Sequence, residues 1–162
     1  MTSTLSALFI CIVAAVLEGA LAGSGVRERL TALRMPPYSP PFAVWILIGL
    51  IYYFICFVVL RRLLAANPLT LTASAALALL IIVLIANSLW SILFFRRRDL
   101  RASFIAFIPY AVVVAALVFS LSRIYPFGAA LFSCYCIYLL YAAWWGYRVR
   151  LLNPRRPNQA VS

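Results

Sequence analysis

Residues 35–62 read MPPYSPPFAVWILIGLIYYFICFVVLRR, a proline-rich segment followed by an apolar run that two arginines end. Proline lacks the backbone N–H that a helix needs, and its ring collides with the preceding turn, so no helix continues through this segment. The run from Phe42 to Leu60 carries no charge and is long enough to cross about 30 Å of hydrocarbon as a helix. The stretch therefore predicts a membrane helix that begins directly after a stiff loop.

The composition of the whole chain is that of a membrane protein. Of its 162 residues 67% are hydrophobic and 10% are charged, which leaves too little polar surface for a water-soluble domain. Inside a bilayer the backbone must satisfy its own hydrogen bonds, so only helices or a closed barrel can span it. Long apolar runs without strict alternation favour helices. We expect an all-α integral membrane protein, a bundle of five transmembrane helices.

Five apolar runs, separated by arginines and prolines, define the expected spans. They form a single membrane domain over residues 1–153, with a turn at Asn67-Pro68, and a flexible polar tail follows over residues 154–162. The first run has no basic residue before it, so we interpret it as a span and not as a signal peptide. The spans are expected at about 5–21, 42–60, 69–95, 102–121 and 127–147.

The distribution of arginine predicts the orientation in the membrane. All fourteen basic residues are arginines, and eleven lie in the first loop, the third loop and the C-terminal tail. The positive-inside rule then places the N-terminus outside and the first loop and the C-terminus in the cytoplasm, with the bacterial cytoplasmic membrane as the expected location. The net charge of +11 is thus interpreted as a topology signal and as lipid-headgroup contacts, with no nucleic-acid partner.

Small residues recur at helical spacing and allow a second helix to approach closely. This pattern permits a homodimer, and it equally permits packing within one bundle. The residues concerned are Ala15, Gly19 and Gly23 in the first span and Ala73, Ala76 and Ala78 in the third.

Glu18 is the only acidic residue inside a predicted span. A carboxylate at membrane depth is costly, so it should be protonated or should face donors inside the bundle. It is either a ligand or proton site, or a residue close enough to the helix end to reach water.

Two helix faces combine aromatic rings with a few polar groups. In the third span Asn87, Trp90 and Phe94 share one face, which should face the bundle because a buried amide needs a partner. The fifth span adds a stripe with two tyrosine hydroxyls, and Tyr53 of the second span adds another. Such a cavity suits a flat hydrophobic ligand, although plain packing gives the same pattern. The fifth-span stripe comprises Tyr135, Tyr138, Ala142 and Trp145.

No metal site is expected. The chain contains no histidine, which is the commonest metal ligand and the commonest general base. Cys134 and Cys136 are two residues apart in an apolar run and point to different sides of a helix, so they cannot chelate one ion.

These residues also carry a resemblance to a known family. Pro36-x-Tyr38-x-Pro40-Pro41 resembles the P-x-W-x-P-P loop of the translocator protein family, the tryptophan-rich sensory proteins. Residues 87–95, NSLWSILFF, match the N-x-x-W-x-x-x-F-F motif of its third helix. Tyr53 falls at the tyrosine of its W-x-x-x-Y motif and Tyr135 at that of P-Y-x-x-W. The similarity covers roughly residues 5–153.

The chain departs from the family at ring positions. Gly49 replaces the tryptophan of W-x-x-x-Y, Tyr38 the loop tryptophan, and Cys134 and Tyr138 the proline and tryptophan of the fifth helix. Loss of these indoles puts full-strength porphyrin binding in doubt. The missing side chain at position 49 could make room for a different or larger ligand.

The resemblance implies binding of tetrapyrroles, sterols or other aromatic ligands beneath the first loop, for sensing or transport. No cofactor is required, and the lipid bilayer and a hydrophobic small molecule are the expected partners. The loop would act as a lid through Tyr38 with Pro36, Pro40 and Pro41. Two alternatives remain: a porphyrin-degrading enzyme, which the missing tryptophans at positions 49 and 138 disfavour, and a structural or assembly subunit without a ligand. The absent histidine also leaves no hydrolytic set of residues.

Overall fold

The computed structural model describes residues 2–66 and 70–154, so the predicted Asn67-Pro68 turn and nearly all of the predicted tail lie outside the described residues. Five of the helices are long and apolar enough to cross a membrane, which confirms the predicted fold class. The α-helices are α1 (Thr2–Ala22), α2 (Val26–Thr31), α3 (Phe42–Leu64), α4 (Leu71–Ser91), α5 (Leu100–Ile124) and α6 (Pro126–Leu152).

The five long helices close into a ring. Helix α1 packs against α3 and α4, α5 packs between α4 and α6, and α3 completes the ring by contacting α6. Fully buried side chains such as Val59, Leu80 and Phe132 fill the centre, whereas Phe9 and Leu140 are exposed on the outside. Large apolar side chains on the outer surface are expected where lipid replaces water.

Helix α2 lies in the first loop, where the sequence had indicated only a connection. Its Arg29 donates from Nη1 to the carbonyl oxygen of Ala22 at 2.8 Å and to that of Phe95 at 3.0 Å. These carbonyls lie at the ends of α1 and of the third span, where helix backbone groups lack partners within the helix. Arg29 therefore ties the loop to two transmembrane helices.

Helix α4 continues into a π-helical turn, Ile92–Arg96. The amide of Arg97 donates to the carbonyl of Ile92 at 2.8 Å, and that of Asp99 donates to Leu93 at 3.0 Å. These bonds reach five and six residues back, where an α-helix reaches four. The Asp99 carboxylate then caps α5 by accepting from the amides of Arg101 and Ala102.

Some of the small residues lie in the interior of the bundle and others lie on its outer surface. Ala73 and Ala76 are buried inside the bundle. Ala15 and Gly19 lie on the exposed side of α1, and a methyl group added at Gly19 would meet no atom within 4 Å. Ala15 and Gly19 are thus not used for packing inside one chain, whereas Gly23 follows the end of α1 with a left-handed φ of 76°. A homodimer through the exposed face stays a prediction.

Candidate functional site

A cavity of about 100 Å³, here called the aromatic pocket, lies between α3, α4, α5 and α6. Most of the residues that line it are aromatic, and the others are small or apolar except for Asn87 and Ser103. Nine aromatic side chains line it: Trp45, Trp90, Phe94, Phe104, Phe107, Tyr110, Tyr135, Tyr138 and Trp145.

Six of the eight ligand-binding residues predicted from the sequence line this pocket. Trp90 stacks on Phe94 with ring centroids 4.9 Å apart and an interplanar angle of 17°. The indole N–H of Trp90 donates to the backbone oxygen of Ser103 at 3.0 Å, which fixes the ring against α5. The six are Asn87, Trp90, Phe94, Tyr135, Tyr138 and Ala142.

Trp45 supplies an indole that the sequence reasoning had missed. It lies four residues before Gly49, on the same face of α3, and its ring packs 4.9 Å from that of Trp145. Gly49 itself does not line the pocket, and a methyl group there would meet no atom within 4 Å. The position of Gly49 therefore does not support the idea that it makes room for a larger ligand. Trp45 could have been found from the sequence, because a residue four positions before Gly49 lies on the same face of the helix.

The tyrosine hydroxyls of the pocket differ in their partners. Those of Tyr110 and Tyr135 form a buried hydrogen bond of 2.8 Å between α5 and α6. The hydroxyl of Tyr138 makes no hydrogen bond with any described residue, so it is the one available to a ligand. Tyr110 follows Pro109 in an apolar helix, and no sequence pattern marked it.

Tyr53 lies outside the lining of the aromatic pocket and binds Glu18 instead. Its hydroxyl donates to Glu18 Oε2 at 2.6 Å, and Asn87 Nδ2 donates to the same oxygen at 2.9 Å. Ser91 Oγ lies 3.4 Å from Oε1 as a third donor. Glu18 thus faces donors inside the bundle, and Asn87 connects this network to the pocket wall.

The proline loop contacts α6 at the end of the pocket near Trp145. The indole N–H of Trp145 donates to Ser39 Oγ, and the hydroxyl of Tyr141 donates to the backbone oxygen of Tyr38, both at 3.0 Å. The side chain of Tyr38 is 88% exposed, and the residue has a left-handed φ of 65°. The loop is held through its backbone and Ser39, while the Tyr38 ring, predicted to bind ligand, lies outside the pocket.

The predicted loop prolines have separate positions. Pro36 is buried, and its carbonyl accepts a 2.8 Å hydrogen bond from Ser39 Oγ. Pro41 is the N-cap residue of α3, and Pro40 precedes it. None of the three lines the aromatic pocket.

The described residues contain no group of three or more His, Cys, Asp or Glu side chains that could hold a metal ion. The aromatic pocket offers stacking surfaces, the Tyr138 hydroxyl and the Asn87 amide. It can bind and orient a flat apolar molecule.

A search among curated proteins finds no match to the chain. A family model, that of the TspO/MBR family, matches residues 7–152. This match confirms the resemblance seen in the loop and in the third-helix motif. The chain therefore belongs to the TspO/MBR family, as a multi-pass integral membrane protein of the sensor or transporter type.

Proposed function

We propose that this protein is a membrane receptor or transporter that binds a planar hydrophobic ligand in the aromatic pocket. The ligand classes are a tetrapyrrole such as protoporphyrin IX, or a sterol or isoprenoid. The observation that carries the proposal is the convergence of nine aromatic side chains on one cavity with very few polar groups. Ligand sites are typically apolar and aromatic with a small number of orienting polar atoms.

The size of the cavity requires a change of conformation on binding. Its volume of about 100 Å³ is below the roughly 300–1,000 Å³ of sites that enclose drug-sized ligands. A tetrapyrrole therefore enters only when the pocket widens. The loop of residues 35–41, held to α6 by two side-chain hydrogen bonds, is the segment whose release opens that end.

The bound ligand then stabilises the closed loop, the form in which the loop is hydrogen-bonded to α6. This closed form is what a partner or the opposite compartment detects. The tetrapyrrole is a ligand in this scheme, and no cofactor is needed. The N-terminus lies outside and the proline loop in the cytoplasm, supported by the excess of arginines around that loop. Reaction of single cysteines in the proline loop with an impermeant reagent only from outside would contradict this orientation.

The positions of the tryptophans allow a direct binding experiment. Trp45, Trp90 and Trp145 line the pocket, whereas Trp144 is 39% exposed and lies outside it. Titration of the purified protein with protoporphyrin IX should give saturable quenching of tryptophan fluorescence. Trp90→Leu should weaken the affinity by roughly tenfold, because one stacking partner is lost, and Trp144→Leu should leave the affinity unchanged.

The same titration separates the rival functions. Quenching that does not saturate would favour a structural subunit, in which the rings serve only packing. Light-dependent loss of the porphyrin Soret band, faster than in a free-porphyrin control, would favour a degrading enzyme.

A further inference from the structure

A second cavity of about 320 Å³ lies next to the aromatic pocket, between α2 and the segment that joins α4 to α5. It shares Phe94 and Leu100 with the aromatic pocket, so the two cavities are adjacent. Two arginines and one acid supply its charges, and we call it the arginine pocket. Its lining consists of Glu28, Arg29, Ala32, Leu33, Phe94, Phe95, Arg98 and Leu100.

Arg29 presents a fixed positive charge to this cavity. Its Nη1 donates to the carbonyl oxygens of Ala22 and Phe95, which orient the guanidinium without neutralising it. A guanidinium has five N–H donors, so donors remain for an anion. Because the backbone already holds this group, an anion that binds it does not have to order a flexible side chain.

Arg98 is the second cation of the cavity and lies two residues after the end of the π-helical turn. Its φ of 53° is in the left-handed region, which is common where a helix ends, and the amide of the next residue, Asp99, donates to the carbonyl of Leu93. Within residues 2–66 and 70–154 its guanidinium makes no hydrogen bond or ion pair. With Arg29 it outweighs the single carboxylate of Glu28, so the cavity carries a net positive charge.

We infer that the arginine pocket is the anion-binding end of the ligand site and that the ligand is an amphiphile with a flat apolar body and a carboxylate arm. This inference rests on the proposed function. The body occupies the aromatic pocket, and the arm passes Phe94 to reach the guanidinium groups of Arg29 and Arg98. Carboxylate and guanidinium match in charge and in planar geometry. A phospholipid phosphate offers the same anionic oxygens, so the test must distinguish the two sources.

The experiment compares protoporphyrin IX, which carries two carboxylates, with its dimethyl ester, which carries none. Affinities of both are measured by tryptophan quenching in a non-ionic detergent, and the ratio of the acid affinity to the ester affinity is recorded. Arg98→Gln should lower this ratio about fivefold, the scale of a partly solvated ion pair. Arg101→Gln is the matched control, because Arg101 is exposed and does not line the pocket.

Partition of each porphyrin into the micelle is the same for all variants, so only a change in the ratio counts. The loss should shrink at high salt, because screening weakens an exposed ion pair. An equal ratio in Arg98→Gln and in the unchanged protein overturns the inference while leaving the proposed function intact. Failure of both porphyrins to bind overturns the proposed function and the inference with it.

A lipid arm identifies the source of the anion. The titrations are repeated in bilayers of phosphatidylcholine, with and without phosphatidylglycerol. If the ligand carboxylate occupies the arginine pocket, Arg98→Gln lowers the ratio in both bilayers. If Arg98→Gln lowers the ratio in phosphatidylcholine but leaves it unchanged when phosphatidylglycerol is present, the pocket holds a lipid headgroup, and its assignment to the ligand is overturned.

Discussion

Replacement of Glu18 tests whether this acid is a paired interior group of the bundle. Three donors from α3 and α4 surround its carboxylate, and the two short contacts, from Tyr53 at 2.6 Å and from Asn87 at 2.9 Å, converge on one oxygen. Glu18→Ala leaves all three donors without an acceptor. Glu18→Gln keeps the shape and one acceptor oxygen but replaces the second oxygen by an amide NH2 group, which cannot accept.

The size of the effect follows from hydrogen bonds measured in membranes. These average about 0.6 kcal/mol and reach about 1.7 kcal/mol, and the 3.4 Å contact to Ser91 contributes little. Glu18→Ala should therefore lower the free energy of unfolding by about 1–3 kcal/mol, and Glu18→Gln by at most about 1 kcal/mol. Gly19→Ala is the matched control, because the added methyl group meets no atom within 4 Å.

The assay is reversible unfolding of the purified protein in mild detergent, with Tyr53→Phe added to complete a double-mutant cycle. Tyr53→Phe should cost about 1 kcal/mol when Glu18 is present and almost nothing in the Glu18→Ala background, because only the first background contains the bond. If Glu18→Ala is as stable as the unchanged protein, the carboxylate is hydrated or faces lipid. Additive costs in the cycle would likewise refute the 2.6 Å contact.

Three further changes have defined outcomes in the same kind of preparation. Tyr52→Phe should stabilise the protein by about 1 kcal/mol, because it removes a buried hydroxyl that has no partner among the described residues; a lower melting temperature would contradict this. Gly128→Ala should cost about 1–3 kcal/mol, because the methyl group would collide with a neighbouring tyrosine ring, while Gly49→Ala should cost nothing; equal melting temperatures would refute the packing. Tyr141→Phe should speed protoporphyrin release in stopped-flow measurements by up to about tenfold, because its hydroxyl holds the loop; Tyr38→Phe is the control, and equal release rates for the two variants would disprove the contribution of that bond.

The five spans could be predicted because hydrocarbon demands long uncharged segments, and such segments are visible without any periodicity. Asn87 also revealed its own face, since an amide that must find a partner indicates which side of a helix is buried. Helix faces that contain only apolar side chains give no such indication. Trp45 and Tyr110 lie in helices that are apolar on all sides, and lipid and protein interior select the same side chains there.

The partners of Glu18 and the position of the Tyr38 ring depend on contacts that no local pattern encodes. Tyr53 matched a family motif, yet its hydroxyl binds a carboxylate from α1, 35 positions earlier in the chain. Tyr38 took the place of a motif tryptophan, yet its left-handed φ and exposed ring depend on how the loop docks on α6. Such geometry depends on tertiary packing, which spacing within one segment does not report.

The π-helical turn at Ile92–Arg96 has a consequence for labelling experiments along the third span. Up to Ser91, accessibility to a thiol reagent at successive single-cysteine positions should rise and fall with the α-helical period of about 3.6 residues. Beyond Ser91 the hydrogen bonds reach five or six residues back. The maxima of accessibility should therefore lie about one residue further along the sequence than a regular α-helix predicts. Data fitted with a single period across both parts would assign Phe94 and Phe95 to the wrong sides of the helix. The position at which the accessibility pattern shifts by one residue would locate the π-helical turn in the membrane-embedded protein.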